Sequence, residues 1–218
     1  MKRFIISAEP SAVVDTHQLN DWANFAKYNF ANQAVKQFSQ NERNVVFMGD
    51  SITERWYGQN PDFFNQHKYI CRGISGQTTS QMLVRFRKDV IDLHPKVVVI
   101  LAGTGDILGN GGDITLENIL GNIVSMCELA RSNNIKPILC FLLPVSKGGS
   151  PNMKVPQFNA MIRVYAEESQ TPYVDYFLAM TDGNNGLPKN LSEDGVHPNA
   201  DGNKIMESLV QPVIAKTI

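Results

Sequence analysis

Five short apolar runs constrain this chain more than any other feature. Asn44-Val45-Val46-Phe47-Met48 ends at Gly49, Tyr69-Ile70-Cys71 near Gly73, and Val97-Val98-Val99-Ile100-Leu101 at Gly103. Ile138-Leu139-Cys140-Phe141-Leu142-Leu143 is stopped by Pro144, and Tyr173-Val174-Asp175-Tyr176-Phe177 is the fifth. Runs of this length, rich in Val and Ile, suit strands of a parallel sheet buried on both faces. Between them lie amphipathic stretches at helical spacing: Leu19 to Phe38, Ser80 to Leu93, Leu116 to Ala130, Val155 to Ala166 and Lys204 to Ile214. Strand–helix alternation predicts an α/β three-layer α/β/α sandwich with helices on both faces of a parallel sheet. The 218 residues are enough for one substantial core and short for two. No repeat, charge block or linker interrupts them, so residues 1–218 read as a single domain behind a lead-in of residues 1–17.

Composition removes several function classes. A net charge of −1 leaves no basic footprint for nucleic acid. No run approaches the roughly 18 apolar residues of a membrane span. Met1 to Ala8 looks like the start of a secretory signal, but its apolar part is shorter than the about 7–15 residues such a segment needs. The expectation is a soluble chain, cytoplasmic unless a longer leader has been trimmed, and otherwise secreted or periplasmic. Cys71, Cys127 and Cys140 are odd in number and match no zinc spacing. Cys71 and Cys140 sit in apolar runs and read as buried small hydrophobes. No metal or cofactor is expected.

Sites in such sheets form at the carboxyl ends of the strands. Gly49-Asp50-Ser51, Gly73-Ile74-Ser75-Gly76 and Gly103-Thr104-Gly105-Asp106 should therefore meet at one edge, with Asp194 and His197 in the loop before the last helix. A serine at a strand-to-helix junction is either a helix N-cap or a hydroxyl displayed at the rim. Thr53 stands where a Gly-x-Ser-x-Gly elbow would need its second glycine, which argues against that motif. Of the four histidines, His17 lies in the lead-in, while His67 and His94 precede strands and belong to the opposite edge. Only His197 is placed to reach Ser51. Asp194, three residues earlier, is close enough to orient the imidazole, although Asp before Gly195 is also an ordinary turn residue. A weak oxygen nucleophile needs a base, and the base an orienting partner.

Four blocks in this order resemble the SGNH or GDSL family of serine esterases and lipases. They are Gly49-Asp50-Ser51-Ile52-Thr53-Glu54, Gly73-Ile74-Ser75-Gly76-Gln77-Thr78-Thr79, Gly103-Thr104-Gly105-Asp106 and Asp194-Gly195-Val196-His197-Pro198. The platelet-activating-factor-acetylhydrolase-like branch looks most similar. The resemblance implies a flavodoxin-like sheet of about five strands. It implies Ser51 as nucleophile, His197 as base and then acid, and Asp194 as its orienting partner. The oxyanion would be held by the backbone N–H groups of Ser51 and Gly76. The family's third donor is an Asn side chain, and this chain has Gly105 there. Losing one such donor typically costs about 10²–10³ in kcat. Asn110, Asn152 or an ordered water are candidate substitutes. Gly105→Asn should raise kcat if the missing donor limits the rate, and should not if the site is built around glycine.

The implied activity is hydrolysis of a short acyl ester, most readily acetyl on carbohydrate, through an acyl-serine. The partner is then a small ester, an acetylated sugar or a lipid, and the oligomeric state stays open. A lysophospholipase or platelet-activating-factor-like lipid esterase is the second reading, and a weakened or non-catalytic binding module on the same fold is the third. Smaller features have two readings each. Trp56 and Tyr57 could line an acyl or sugar pocket or pack a helix. Arg72 could meet substrate or pair with a surface carboxylate. Gly109-Asn110-Gly111-Gly112-Asp113 and Lys147-Gly148-Gly149-Ser150-Pro151 are expected to be loops at the mouth of the site.

Overall fold

Val45–Gly49 (β1) and Val97–Leu101 (β3) are buried along their whole length, as aliphatic runs must be when a strand is covered on both faces. Tyr69–Gly73 (β2), Lys136–Cys140 (β4) and Tyr173–Val174 (β5) complete a five-stranded sheet in the order β2-β1-β3-β4-β5. All four pairings are parallel, the flavodoxin-like arrangement. The structure is a computed structural model that describes residues 21–39, 42–147 and 150–218. The lead-in of residues 1–17, with His17, lies outside them, as do Gly148 and Gly149 of the loop at Lys147. Gly49 pairs in register with both Gly73 and Leu101, so three strands end level and their outgoing loops share one edge.

The helices are Asn29–Lys36 (α1), Ser51–Gln59 (α2), Pro61–His67 (α3), Thr79–Asp89 (α4), Thr104–Ile107 (α5), Leu116–Ser132 (α6), Ser150–Glu168 (α7), Tyr176–Met180 (α8) and Ala200–Thr217 (α9). The chain steps from β1 to β2 on one side and back past β1 to β3 on the other, and crossovers of the usual right hand then place helices on both faces of the sheet. On one face α2 meets α9, with Trp56 Nε1 donating to Glu207 at 3.0 Å and Asn203 Nδ2 to Gln59 at 2.8 Å. On the other, α4 packs against α6 and α6 against α7. Between α2, α3 and the sheet an aromatic cluster forms. Trp56 stacks on Phe63 with ring centroids 5.3 Å apart, and Phe47 meets both Trp56 and Phe64 edge-on. All three cysteines are buried and free.

Three elements depart from the sequence pattern, each for a local reason. The stretch from Leu19 to Phe38 is helical only over Asn29–Lys36 within the described residues. The Asp21 carboxylate takes the N–H groups of Phe25 and Ala26, and Asn24 adopts a left-handed φ of 56°, so a turn replaces the first part of the helix. The fourth strand pairs from Lys136 and ends at Cys140. The buried run continues beyond it because Asn159 bonds both the N–H and the carbonyl of Leu142. The fifth strand stops at Val174, because Asp175 accepts the N–H of Leu178 at 2.9 Å and caps α8.

Candidate active site

Ser51 is the first residue of α2, and Asp50 is the N-cap, accepting the N–H of Ile52 at 2.9 Å. The capping role open to Ser51 is therefore taken by its neighbour. Gly73 lets this happen close to β2, since a Cβ there would lie 2.3 Å from the Glu54 nitrogen. The Ser51 hydroxyl is left 2.8 Å from His197 Nε2. On the other side of the imidazole, Nδ1 lies 2.6 Å from Asp194 Oδ2.

The loop carrying Asp194 and His197 is tied to itself. Asp194 Oδ1 accepts the N–H groups of Val196 at 2.9 Å and His197 at 2.8 Å, an Asx-type turn that brings residue 197 back over residue 194. Buried Ser192 donates to the His197 carbonyl at 2.7 Å and accepts the Gly195 N–H at 3.0 Å. Partial burial pushes the Asp194 carboxyl up. The His197 N–H, the imidazole and the Val196 N–H outweigh it and hold the group well below the usual carboxylate range. Arg55 adds an ion pair to Asp194 Oδ2 at 3.2 Å. That pair is exposed and of modest strength.

The second block forms a turn in which the Gln77 N–H returns to the Ile74 carbonyl, with Gly76 at φ +79°. A positive φ at the third position of such a turn favours glycine. The turn is anchored on both sides. Glu54 accepts the Ser75 N–H at 2.6 Å, and Gln77 donates to the Ala23 carbonyl at 2.9 Å. Arg85, fully buried, donates to Gln77 Oε1 at 2.6 Å, to the Gly49 and Arg72 carbonyls at 3.1 and 2.9 Å, and to Asp89 at 2.9 Å. One guanidinium thus joins the ends of β1 and β2 to the Gly76 turn.

The third block lies against the other two. Asp106 accepts both the N–H and the hydroxyl of Thr79 at 2.8 Å. Asp50 is buried at 2 % exposure, and its carboxyl is pushed up to about 6. Burial is the main cause and the nearby Asp106 charge adds to it, while the N–H groups of Ile52 and Gly105 work against it. Gly105 lines the cleft. A Cβ on Gly105 would lie 2.2 Å from the Gln77 carbonyl oxygen and 3.2 Å from Asn110 Nδ2. The backbone has closed over the place where the family's Asn would project.

Ser51, Gly76, Gly105 and His197 border one cleft of about 240 Å³, with Arg55, Asn110 and Lys147 also at its walls. A second depression of about 400 Å³ adjoins it through Arg55 and His197. Hollows of about 520 and 750 Å³ elsewhere do not contain the Ser51–His197 pair.

Other residues singled out by the sequence fall elsewhere. His67 bonds Gln211, and His94 ends the helical turn before β3, both at the edge opposite Ser51. Trp56 is buried in the aromatic cluster, and Tyr57 packs edge-on to Phe64. Arg72 meets neither substrate space nor a surface carboxylate. It is 4 % exposed, bonds Asn32 at 2.8 Å and lies 4.7 Å over the Tyr28 ring. Asn152 begins α7 and is not at the cleft wall. Arg55 and Ser192 were not singled out from the sequence. Arg55 could have been, since it stands one helical turn after Ser51 and so shares its face. Among the described residues no group of three or more His, Cys, Asp or Glu side chains could hold a metal ion, and no helix is long and apolar enough to cross a membrane.

Comparison with known proteins agrees with this geometry. Residues 47–205 match the model of the GDSL-like Lipase/Acylhydrolase family. A GDSL-like lipase from Bacteroides thetaiotaomicron VPI-5482 shares 43% identity over 90% of this chain and 100% of its own, with a TM-score of 0.87. A protein assigned as an acylhydrolase from Bacteroides fragilis NCTC 9343 shares 45% identity over 91% of this chain and 99% of its own, with a TM-score of 0.86. An acetyl xylan esterase, AlAXEase, shares the fold at 22% identity and a TM-score of 0.67, over 78% of this chain and 98% of its own. The uncharacterized lipoprotein YqeF of Bacillus subtilis (strain 168) is 39% identical over 79 residues, which are 35% of this chain and 32% of that protein. The chain thus spans about a third of the length of that curated relative. With its family model matched over most of its length and all four blocks at one sheet edge, the chain belongs to the GDSL-like lipase/acylhydrolase family and is a hydrolase.

Proposed function

We propose that the protein is a serine esterase that removes short acyl groups, acetyl foremost, from a carbohydrate through an acyl-serine intermediate. The observation that carries this reading is the unbroken line Asp194–His197–Ser51, at 2.6 and 2.8 Å, opening onto the small cleft. Ser51 Oγ attacks the acyl carbonyl as His197 Nε2 takes its proton. The same imidazolium then protonates the departing alkoxide. A water attacks the acyl-serine with His197 again as base, and the acid leaves. Asp194, kept ionised by its N–H donors, holds the imidazole tautomer with Nε2 free to accept and stabilises the charged ring. The N–H groups of Ser51 and Gly76 face the developing oxyanion.

Two features favour a short acyl group on a polar alcohol. The cleft is smaller than the roughly 300–1,000 Å³ of sites for drug-sized ligands. Its walls and those of the adjoining depression carry Arg55, Asn110, Lys147, Gln59, Glu193 and Asn199, groups that suit hydroxyls better than an alkyl tail. That a structural neighbour is named an acetyl xylan esterase is in keeping with this. A single core spanning the described residues supports reading them as one domain.

Wild type is expected to hydrolyse p-nitrophenyl acetate, and Ser51→Ala to lose at least about 10³-fold in kcat. Acetylated xylooligosaccharides should give a higher kcat/KM than a lysophospholipid. Equal rates for wild type and Ser51→Ala would refute the catalytic reading. A preference for the lysophospholipid would refute the carbohydrate assignment alone.

A further inference from the structure

We propose that the side-chain amide of Asn110 supplies the third oxyanion donor, taking the place of the side chain absent at Gly105. The inference rests on the esterase reading and adds a catalytic residue to it. Three observations converge. First, the backbone N–H of Gly105 lies near the buried Asp50 carboxylate and favours its charged form. Second, Asn110 Nδ2 lies 3.2 Å from the point where a Cβ on Gly105 would stand, so its amide is in contact with the place where the missing side chain would begin. Third, the same Nδ2 donates to the Gly76 carbonyl at 3.2 Å, which seats it beside the residue whose own N–H faces the oxyanion. Asn110 also borders the cleft that contains Ser51 and His197.

The backbone explains how a residue five positions along can do this. The Asn110 N–H bonds the Gly105 carbonyl at 3.0 Å, folding the segment back on itself. The Gly112 N–H returns to the Gly109 carbonyl at 3.2 Å, with Gly109 at φ +82°, so residue 110 sits in a tight turn at the cleft rim. An amide nitrogen has two protons. One goes to the Gly76 carbonyl, and the other is left for an anion in the cleft. Thr104 also borders the cleft, but its hydroxyl oxygen is buried. In the transition state the acyl carbonyl oxygen takes negative charge as the Ser51 Oγ–C bond forms, and it accepts from Ser51 N–H, Gly76 N–H and Asn110 Nδ2–H together. The bond order of the carbonyl returns on collapse, and no proton leaves the amide.

The test is kinetic and spectroscopic on the full chain. For p-nitrophenyl acetate, Asn110→Ala should lower kcat by about 10²–10³-fold with KM within about threefold, the pattern of a contact made in the transition state. Asn110→Asp keeps the shape without the donor and should lose at least as much. Thermal melting of each variant reports folding separately. A role as a brace alone is excluded by a second readout. When Ser51 carries a tetrahedral phosphonyl group, one Asn110 side-chain amide proton should shift downfield in the ¹H–¹⁵N spectrum. A kcat within twofold of wild type in Asn110→Ala, or amide protons unmoved in the phosphonyl enzyme, would overturn the assignment of Asn110 while leaving the esterase reading intact. A wild type that turns over no ester would overturn both.

Discussion

Gly105 is where a single residue most alters what the family resemblance implies. Read as sequence, it is a lost donor that Asn should restore. In the structure its missing Cβ is a packing requirement, because the Gln77 carbonyl would be only 2.2 Å away and is backbone rather than a yielding side chain. Gly105→Asn is therefore expected to lower kcat, not raise it, and to cost about 1–3 kcal/mol of stability, as overpacking does. Melting and steady-state kinetics on the one variant check both, and a gain in kcat would show that the turn yields. The convergence of Ser51, Asp194 and His197 was legible because His197 alone of the histidines lies at the edge where the strand ends meet, and Asp194 and Ser51 are the residues within its reach. The closure over Gly105 was not, since it depends on where the backbone carbonyl of Gln77, far earlier in the chain, falls. The role of Ser192 was not legible for a similar reason: its hydrogen bonds are to backbone groups whose position only the fold supplies.

Among the elements, α4 carries the tie that holds the oxyanion turn. Arg85 on α4 is 0% exposed and its ion pair with Asp89 is sealed from water. Removing one partner of such a pair strands the other charge and typically costs about 3–5 kcal/mol. Arg85→Met should show a loss of that size in urea unfolding, together with a lower kcat because Gln77 is released. A loss under about 1 kcal/mol would mean the pair is not the tie described. The start of α2 makes a different prediction, through pH. Asp50 binds its proton more tightly in the folded chain, with its pKa pushed up to about 6 from the ordinary 3.8. Its contribution to stability is thus fully present below about pH 4 and is lost as pH rises through 6. Asp50→Asn keeps an oxygen for the Ile52 N–H and removes the titration. The unfolding free energy of wild type relative to this variant should fall by up to about 3 kcal/mol from pH 4 to pH 7. A difference that stays flat would contradict the burial argument. Element boundaries were less legible than element identities. Asn24 delays a helix, Asp175 ends a strand and Asn159 holds the run beyond β4, each through a left-handed φ or a side-chain bond that apolar periodicity does not report.

At the scale of the whole molecule, the parallel order β2-β1-β3-β4-β5 is what brings residue 51 and residue 197, 146 positions apart in the chain, to the same edge. Alternating strands and helices made the layers legible, and right-handed crossovers narrow the topology to few choices. The central claim is that this convergence makes Ser51 a nucleophile activated by His197. A fluorophosphonate, whose phosphorus is attacked by an activated serine with loss of fluoride, tests it directly. Peptide mapping by mass spectrometry after such treatment should find one phosphonyl group per chain, on Ser51, in wild type and very little in His197→Ala. An unlabelled wild type, or a label on a serine other than Ser51, would contradict the account.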